Sequence, residues 1–455
     1  MTYRRLLEST LAHALSYIES LDKTPISATA SLADLRRRLG RPLADEGMDA
    51  TQVIDDLVAD VQGGVLATSG GRFFGWVVGG SVPAALAADW LTSVWDQPAA
   101  LFASGPAIAV IEEVCGQWLL SLLGLPPQTA VGYVTGATMA NFTGLAAARH
   151  ALLAKQGWDV ESRGLFGAPP IKVIVGAEVH VSVLKALSML GLGRDRVARV
   201  PVDAQGRMRA DLLPRIAGPA IICLQAGNVN TGAFDPAAEI CLKAKESGAW
   251  VHVDGAFGLW AAAAPQKSFL VDGVADADSW ATDAHKWLNV PYVSGLVFVR
   301  DVRHLAAAMS THAAYLIEGG RREPCQYVPE LSRRARGIEI WAALRSLGKS
   351  GMADLVARCC RYALRFAEGL QHAGYRVLNE VVLNQVLVEF GDEEQTRRVI
   401  KGIQQDGTCW CGETKWQGHV AMRISVSSWA TTAEDVEKSL AAILRIAAEK
   451  TGGNP

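Results

Sequence analysis

Four apolar runs in the middle of the chain constrain the fold more than any other feature. They are IKVIVGA (171–177), PAIICLQAG (219–227), AWVHVDGAF (249–257) and VSGLVFVR (293–300), all rich in valine, isoleucine and leucine. Strands that face water on one side alternate apolar with polar residues, whereas nearly continuous runs are typical of strands buried on both faces. Helical patterns such as DPAAEICLKAKESG separate the runs. The sequence therefore predicts an α/β domain with a largely parallel sheet.

The segments around these runs divide the chain into four predicted parts. Residues 1–60 have the pattern of amphipathic helices, and residues 61–310 contain the predicted sheet domain. Residues 311–337 form an arginine-rich loop that contains prolines. Residues 338–455 begin with a helix and include the strand-like runs VLVEF and AMRISVS, so we expect a second, smaller α/β domain there.

Composition excludes several classes of protein. The 455 residues include 44 Lys and Arg against 46 Asp and Glu, which is too balanced for the basic surface that nucleic-acid binding needs. The N-terminus has charges every few residues and no apolar run, so we expect no signal peptide, no membrane span and a cytoplasmic location. Eight scattered cysteines do not form a disulfide framework. Cys409 and Cys411 lack the companion pair of a zinc site, so we expect no metal.

Four sets of polar groups follow the predicted strands, where open parallel sheets bind ligands. A turn of small residues at 136–138 opens a helix, whose free N–H groups can bind an anion, although most such turns only cap the helix. His180 opens the next helix, and alone it would more often be a capping or surface residue. Asp254 closes a strand, where an acid is as often structural as functional. Lys286 follows one helix-and-strand unit later, and alone it would be a surface lysine.

One chemistry needs all four sets together. Pyridoxal 5′-phosphate requires an anion site for its phosphate, a lysine for an imine, a carboxylate for its pyridine N–H and a flat group to stack on its ring. The turn at 136–138, Lys286, Asp254 and His180 supply these four groups. A carboxylate that keeps the ring nitrogen protonated makes the ring an acceptor for the electrons of a carbanion at the substrate Cα. The sequence therefore predicts a pyridoxal phosphate site.

Six motifs, in the same order along most of the chain, resemble those of one family. They are GRFFGWVVGGSVPAALAADWL (71–91), GATMAN (136–141), EVHVSVLKA (178–186), HVDGAFG (252–258), DAHKW (283–287) and RISVSSW (423–429). These segments are similar to those of the group II amino-acid decarboxylases, which are fold-type I pyridoxal phosphate enzymes. The resemblance extends from about residue 50 to about residue 440. It implies a large domain with a mainly parallel, seven-stranded sheet, a helical N-terminal segment and a small C-terminal α/β domain.

The resemblance also implies roles for individual residues. Lys286 forms the imine with the cofactor, Asp254 pairs with the pyridine nitrogen, and His180 stacks on the ring. The other cofactor-binding residues that the resemblance implies are Gly136, Ala137, Thr138, Thr231, Asp283 and His285. Asp283 stands where relatives usually carry asparagine. Direct contact with the phosphate would therefore bring two anions together, unless His285 or a water molecule lies between them.

The reaction is a separate question, because the protein selects it by holding one Cα bond perpendicular to the cofactor ring. REPCQYVPELSRRARGIEIW (322–341) resembles the mobile catalytic loop of the decarboxylases. It places Tyr327 where a tyrosine protonates Cα after CO2 leaves. Without that acid the carbanion reacts with oxygen, which gives an aldehyde. Tyr315 is the nearest alternative donor, and Tyr327 is otherwise a solvated loop residue.

The substrate side chain is indicated by two apolar segments. Trp76 and Val77 fall where relatives line the side-chain pocket, and Leu101 and Phe102 fall where the family contributes residues across a dimer interface. Apolar groups suit an aromatic or aliphatic side chain better than a carboxylate, although core packing explains each of them equally well. Arginines of the 322–341 loop could bind an acidic side chain instead.

Three functions therefore stay open. The first is decarboxylation of an L-amino acid to its amine. The second is an aldehyde synthase, or a carbon–carbon lyase similar to the sphingosine-phosphate lyases, of the same fold. The third is a cofactor-binding protein without turnover, which the combination of His180, Asp254, Lys286 and Tyr327 disfavours. The family builds its site between two subunits, and the apolar spacing in LLESTLAHALSYI predicts an exposed helix face, so we expect a homodimer.

Overall fold

A seven-stranded sheet forms the centre of the fold in a computed structural model, which describes residues 3–311 and 322–451. Its strands are β1 (Ala130–Val134), β2 (Lys172–Gly176), β3 (Ala198–Val200), β4 (Ala220–Gln225), β5 (Trp250–Asp254), β6 (Ser279–Asp283) and β7 (Gly295–Val299). The order is β1-β7-β6-β5-β4-β2-β3, in which β7 is antiparallel to both neighbours and the other four pairings are parallel. The α/β class and the mainly parallel sheet are confirmed.

Among the helices, α6 (Ala137–Ala154) brings its N-terminus to the edge of this sheet. The α-helices of the described ranges are α1 (Tyr3–Ser20), α2 (Leu32–Leu39), α3 (Ala50–Val61), α4 (Pro83–Trp95), α5 (Pro106–Leu123), α6 (Ala137–Ala154), α7 (Val160–Arg163), α8 (Val181–Met189), α9 (Ala237–Ser247), α10 (Ala284–Trp287), α11 (Val302–Met309), α12 (Gly337–His372), α13 (Glu393–Asp406) and α14 (Ala433–Thr451). Helix α6 packs against β5, β6 and β7. Its many alanines let it lie close to the strands, and its N-terminus sits at the carboxyl ends of β5 and β6, beside the start of β7.

A second, antiparallel sheet lies in the C-terminal part of the chain. Its strands are β8 (Arg376–Val377), β9 (Gln385–Glu389), β10 (Gly412–Trp416) and β11 (His419–Ser425), in the order β10-β11-β9-β8. The segment at Phe73 and Phe74 joins this sheet through backbone bonds, since Phe74 N donates to Trp410 O at 2.8 Å and Ser425 N donates to Phe74 O at 3.0 Å. This contact ties the segment that precedes α4 to the small sheet.

The N-terminal helices expose an apolar face, as the sequence predicts. No residue of α1 is buried, and Leu7, Leu11, Leu15 and Ile18 are each between 43% and 48% exposed. These four residues recur at helical spacing, so they form one stripe. A stripe of this kind on a monomer indicates a surface that another chain can cover.

Helix α5 is the one described helix that is long and apolar enough to cross a membrane by length and composition alone. Core helices pass the same criterion, and α5 buries Cys115, Leu119 and Leu120 in the main hydrophobic core. It also packs against α12. Part of its apolar surface is thus covered within this chain.

The division into four parts, with its boundaries, stays a prediction. The large sheet falls within 130–299 and the small one within 376–425. Ten residues of the predicted 311–337 loop, 312–321, lie outside the described residues, and Tyr315 is among them.

Candidate active site

A cavity of about 240 Å³ lies at the carboxyl edge of the large sheet. Residues that follow β1, β2, β4, β5 and β6 line it, together with the start of α6. The lining residues are Gly136, Ala137, Thr138, His180, Ser182, Gln225, Gly227, Val229, Asp254, Ala256, Phe257, Asp283, His285 and Lys286. Eight of the nine residues predicted to bind the cofactor are thus brought together, and Thr231 is the exception.

Lys286 lies in the short helix α10, directly after β6. Its Nζ is 2.9 Å from Asp283 Oδ2, and its side chain is only 22% exposed. The backbone of the 73–80 segment passes against it, because a Cβ added at Gly79 would lie 2.0 Å from Lys286 O. Only glycine permits so close an approach. Lys286 is therefore a partly buried amine with a carboxylate as its counter-ion, held in place by backbone on one side.

Asp283 contacts the N-terminus of α6 directly. Its Oδ1 accepts a hydrogen bond from Ala137 N at 2.5 Å and lies 3.5 Å from His285 Nε2. Gly136, the residue before α6, gives no side-chain cap. The carboxylate therefore occupies the place at the helix N-terminus where an anion is favoured by the free N–H groups and the helix dipole.

His285 links this end of the cavity to the loop that precedes β7. Ser294 N donates to His285 Nδ1 at 3.0 Å, so Nδ1 is an acceptor and the neutral ring carries its proton on Nε2, toward Asp283. Burial lowers the pKa of His285, and the ring of Tyr292 lies 4.3 Å from it, centroid to centroid. His285 is therefore a neutral donor at neutral pH.

His180 and Asp254 meet through Ser182. Ser182 N and Oγ lie 3.2 and 2.7 Å from His180 Nδ1, and Ser182 Oγ lies 3.4 Å from Asp254 Oδ2. Burial lowers the pKa of His180, against the attraction of Asp254. Since Nδ1 accepts from a backbone N–H, the proton of the neutral ring is on Nε2. The first turn of α8 thus fixes the orientation of this imidazole.

Two functional candidates were missed by sequence reasoning. Asn141 Nδ2 donates to Asp254 Oδ2 at 3.2 Å from the second turn of α6. Arg423, in β11, donates to the carbonyl of Val229, which lines the cavity, at 2.9 Å. Burial lowers the pKa of Arg423 to about 10, and in the described part of the chain it has no carboxylate partner. The quoted motifs GATMAN and RISVSSW contain both residues and were the available signal.

Two predicted residues lie away from the cavity lining. Thr231 is fully buried, and its hydroxyl donates to Gln205 O at 2.8 Å. Tyr327 lines a separate cleft, where its ring packs 4.4 Å from the guanidinium carbon of Arg322. The roles assigned to them stay predictions, and that of Tyr327 requires the cavity of another subunit or a movement of the loop.

The predicted substrate residues also lie outside the lining of this cavity. Trp76 is 59% exposed and stacks on Trp410 at 4.9 Å, whereas Val77 is buried. Leu101 and Phe102 are half-buried, and Phe102 N donates to Glu323. In the part of the chain that the structure describes, these four residues therefore do not border the cavity that contains Lys286.

The loop arginines are engaged elsewhere. Arg334 pairs with Asp89, at 2.5 Å, and Arg336 Nε donates to Val293 O at 3.1 Å. Neither lines the cavity. Among the residues that the structure describes, no group of three or more His, Cys, Asp and Glu side chains could hold a metal ion.

The cavity fits pyridoxal phosphate by its donor set. It combines a lysine, a helix N-terminus without a side-chain cap, a carboxylate and an imidazole, with small residues between them. Ala256 and Gly227 leave room for a flat ring, and Gly227 has a φ of 96°, which suits glycine. Lys286 could hold the cofactor as an imine, Asp254 could pair with its ring nitrogen and His180 could lie against its ring face, as the resemblance predicts.

Known proteins resemble this chain over most of its length. The family model of the pyridoxal-dependent decarboxylase conserved domain matches residues 33–390. The aromatic-L-amino-acid decarboxylase of Bacillus atrophaeus is 24% identical over 96% of this chain and 93% of its own. The phenylacetaldehyde synthase of Arabidopsis thaliana is 22% identical over 93% of this chain and 91% of its own. The crystal structure of Oryza sativa TDC with PLP and tryptamine has the same fold, with a TM-score of 0.90 at 20% identity over 98% of this chain and 97% of that one.

Proposed function

The chain belongs to the pyridoxal-dependent decarboxylase family, and on that premise we propose that its substrate is an L-amino acid with an aromatic or apolar side chain. The enzyme is a pyridoxal-phosphate-dependent carboxy-lyase, which converts the amino acid to its amine and CO2. Bound pyridoxal phosphate supplies the electron-withdrawing ring that takes up the electrons of the broken bond. The observation that carries the proposal is the meeting of Lys286, Asp254 and His180 in one cavity.

Arg423 supports an amino-acid substrate. It is a largely buried cation without an ion-pair partner in the described ranges, and it bonds to a carbonyl of the cavity wall. A buried cation is costly unless an anion joins it. We assign it to the substrate carboxylate, which it attracts and orients. Arg423→Met should therefore raise KM more than it lowers kcat, whereas Arg423→Lys should recover part of the affinity.

The side-chain preference rests on apolar residues of the cavity lining, Val229, Ala256 and Phe257, since Trp76 and Val77 lie outside it. A relative named for aromatic amino acids, the decarboxylase of Bacillus atrophaeus, also covers 96% of this chain. An acidic side chain would need a second free cation. The loop arginines do not supply one, because Arg334 is paired with Asp89 and neither Arg334 nor Arg336 lines the cavity.

A second candidate is a decarboxylating aldehyde synthase. It is favoured by the position of Tyr327, which lines a separate cleft and leaves the cavity of one chain without that phenol as a proton donor. A phenylacetaldehyde synthase is also among the proteins to which this chain is similar. In such an enzyme oxygen reacts with the carbanion before a proton does.

We further propose a cytoplasmic homodimer. The exposed stripe on α1 and the exposed Trp90, Leu91, Val94 and Trp95 of α4 are surfaces that a second copy can cover. All eight cysteines are buried and free, as suits a reducing compartment. Sedimentation that shows a stable, active monomer would contradict the dimer.

Product analysis tests the proposed function. The purified protein, loaded with pyridoxal phosphate, is incubated with each of the twenty amino acids while CO2, oxygen, amine and aldehyde are followed. We expect CO2 and amine in equal amounts from one aromatic or apolar amino acid, with little oxygen consumed. Oxygen uptake in step with CO2, with aldehyde, ammonia and hydrogen peroxide as products, identifies the synthase. No product from any of the twenty sinks the proposal.

A further inference from the structure

A chain of buried hydrogen bonds runs from Asp254 into the core. Asn141 Nδ2 donates to Asp254 Oδ2 at 3.2 Å, and Asn141 Oδ1 lies 2.8 Å from His252 Nε2. His252 Nδ1 lies 2.8 Å from Ser279 Oγ, to which Trp250 Nε1 also donates at 2.8 Å. Asn141, His252 and Ser279 have no exposed surface. Water therefore does not replace any partner in this chain, and each bond depends on the next.

The carboxylate at the cavity end determines the direction of these bonds. A carboxylate only accepts, so the amide nitrogen of Asn141 faces Asp254 and Asn141 Oδ1 faces His252 Nε2. Burial lowers the pKa of His252 to about 3, so the ring is neutral and its one proton lies on Nε2, which donates to Asn141 Oδ1. His252 Nδ1 is then an acceptor, and Ser279 Oγ, which accepts from Trp250 Nε1, donates its proton to it.

From this directed chain we propose that Asn141 and His252 are positioning residues for the reaction, which hold Asp254 as an acceptor in one fixed orientation toward the pyridine nitrogen. The inference rests on the proposed function, since it assumes that Asp254 pairs with the cofactor ring. A reversed amide would place Asn141 Oδ1 against the carboxylate, and the two acceptors would repel. The neutral imidazole prevents that reversal without adding a charge beside the carboxylate.

The amide of Asn141 also orients His180, the residue assigned to the face of the cofactor ring. Asn141 Nδ2 lies 3.2 Å from Ser182 Oγ, which is 2.7 Å from His180 Nδ1. The packing of α6 on β5 makes this arrangement possible. A Cβ added at Gly144 would lie 2.9 Å from His252 Cε1, so glycine allows the helix to approach. One amide thus orients both Asp254 and His180.

Four variants of the full-length holoenzyme test the proposal. Asn141→Leu and His252→Phe keep the approximate shape of each side chain and remove its hydrogen bonds. His252→Gln places an amide nitrogen near the former Nε2 and should restore the donor to Asn141. Thr143→Val is the control, because Thr143 is fully buried on the same helix but its hydroxyl bonds only within α6, to Met139 O.

The expected loss in kcat is about ten- to a hundredfold for Asn141→Leu and His252→Phe, as for a lost hydrogen bond to a charged group. The change in KM should be much smaller, and His252→Gln should recover most of the rate. The ¹⁵N shift of the bound cofactor's pyridine nitrogen should move toward the unprotonated value in the first two variants only. In the wild type, histidine ring ¹⁵N shifts should show His252 protonated at Nε2.

Either of two results overturns the inference. The first is His252 protonated at Nδ1 in the wild type, which reverses the chain and can be measured even if a variant does not fold. The second is a pyridine ¹⁵N shift that stays at the wild-type value in folded Asn141→Leu and His252→Phe, whatever their rates, which would leave these residues a structural role only. Both readings are spectroscopic, so a failure of the proposed function, seen as no product from any amino acid, is distinguished from a failure of this inference.

Discussion

The two ends of the cavity each present a buried aspartate, but they hold it in opposite ways. Asp254 is surrounded by neutral donors, from Asn141, Ser182 and the backbone of Ala256. Asp283 instead lies 2.9 Å from the cationic Lys286 and accepts from the first N–H of α6.

The partners of Asp254 are fixed in position, so its carboxylate stays a hydrogen-bond acceptor. The partners of Asp283 are a lysine and a helix N-terminus, and an incoming cofactor competes for both. One end of the cavity is therefore built to keep its carboxylate unchanged, and the other has to rearrange when the cofactor binds.

Lys286→Ala should have the largest effect, because it removes both the amine that forms the imine and the counter-ion of Asp283. We expect turnover to fall at least about a thousandfold and the visible absorption of the imine to vanish, although the cofactor can still bind by its phosphate. Borohydride reduction followed by peptide mapping should label Lys286 in the wild type. Label at Lys185 or Lys267 instead would contradict the assignment.

Asp254→Ala removes the permanent acceptor and should cost nearly as much. The carboxylate is worth more in the carbanionic transition state than in the ground state, so we expect kcat to fall about a thousandfold while the fold is kept. His180→Ala should weaken cofactor binding less than Asp254→Ala does. Asp195→Ala, an exposed acid, serves as the control. Wild-type rates in Asp254→Ala would refute the role of the ring nitrogen partner.

Asp283→Asn sharpens the comparison at the other end. The amide keeps the shape of the side chain but removes a negative charge from the place where the phosphate is expected, so the cofactor should bind about tenfold more tightly, or ~1.4 kcal/mol. A titration of the apoprotein with pyridoxal phosphate measures this change. Weaker binding would show that the ion pair with Lys286 matters more than the repulsion.

Much of this comparison could be predicted from the sequence, since strand ends and helix starts are local features. Asp254 closes β5, His180 precedes α8 and Lys286 lies in the short helix after β6, and each lines the cavity. Asn141 and Arg423 could not be placed in this way, because their roles depend on how α6 and β11 pack against the cavity walls. β10 was missed for a different reason, since its sequence GETKW alternates exposed polar residues and has no apolar run.

Acidic pH should lower the stability of the folded protein through His252, which supports the Asp254 end of the cavity. The pKa of this ring is about 3 in the folded chain against 6.5 without burial. The unfolded chain therefore binds a proton first, and stability is full above about 6.5 and is lost as pH falls toward 3. The free energy of unfolding should drop by up to ~1.4 kcal/mol per pH unit in that window from this group alone. Urea titrations at several pH values should show a smaller slope in His252→Gln than in the wild type.

Tyr327→Phe should have the smallest effect, because its ring belongs to neither end of the cavity. The ring packs on Arg322 and lines a separate cleft, and phenylalanine keeps that packing. We expect amine formation to change by less than about twofold and oxygen consumption to stay low, as for surface changes that touch no buried partner.

The resemblance to the decarboxylase loop predicts the contrary, with slow amine formation and new oxygen uptake. If that result is observed, Tyr327 reaches the cavity that contains Lys286. Because Tyr327 does not line that cavity in its own chain as described, either the loop moves or the donor belongs to the second subunit. Mixed dimers of Tyr327→Phe and Lys286→Ala chains then decide between the two. In a mixed dimer, only the site of the Tyr327→Phe chain keeps Lys286 and can turn over. Normal amine formation at that site indicates a donor from the partner subunit, whereas slow amine formation with oxygen uptake indicates a donor from the same chain.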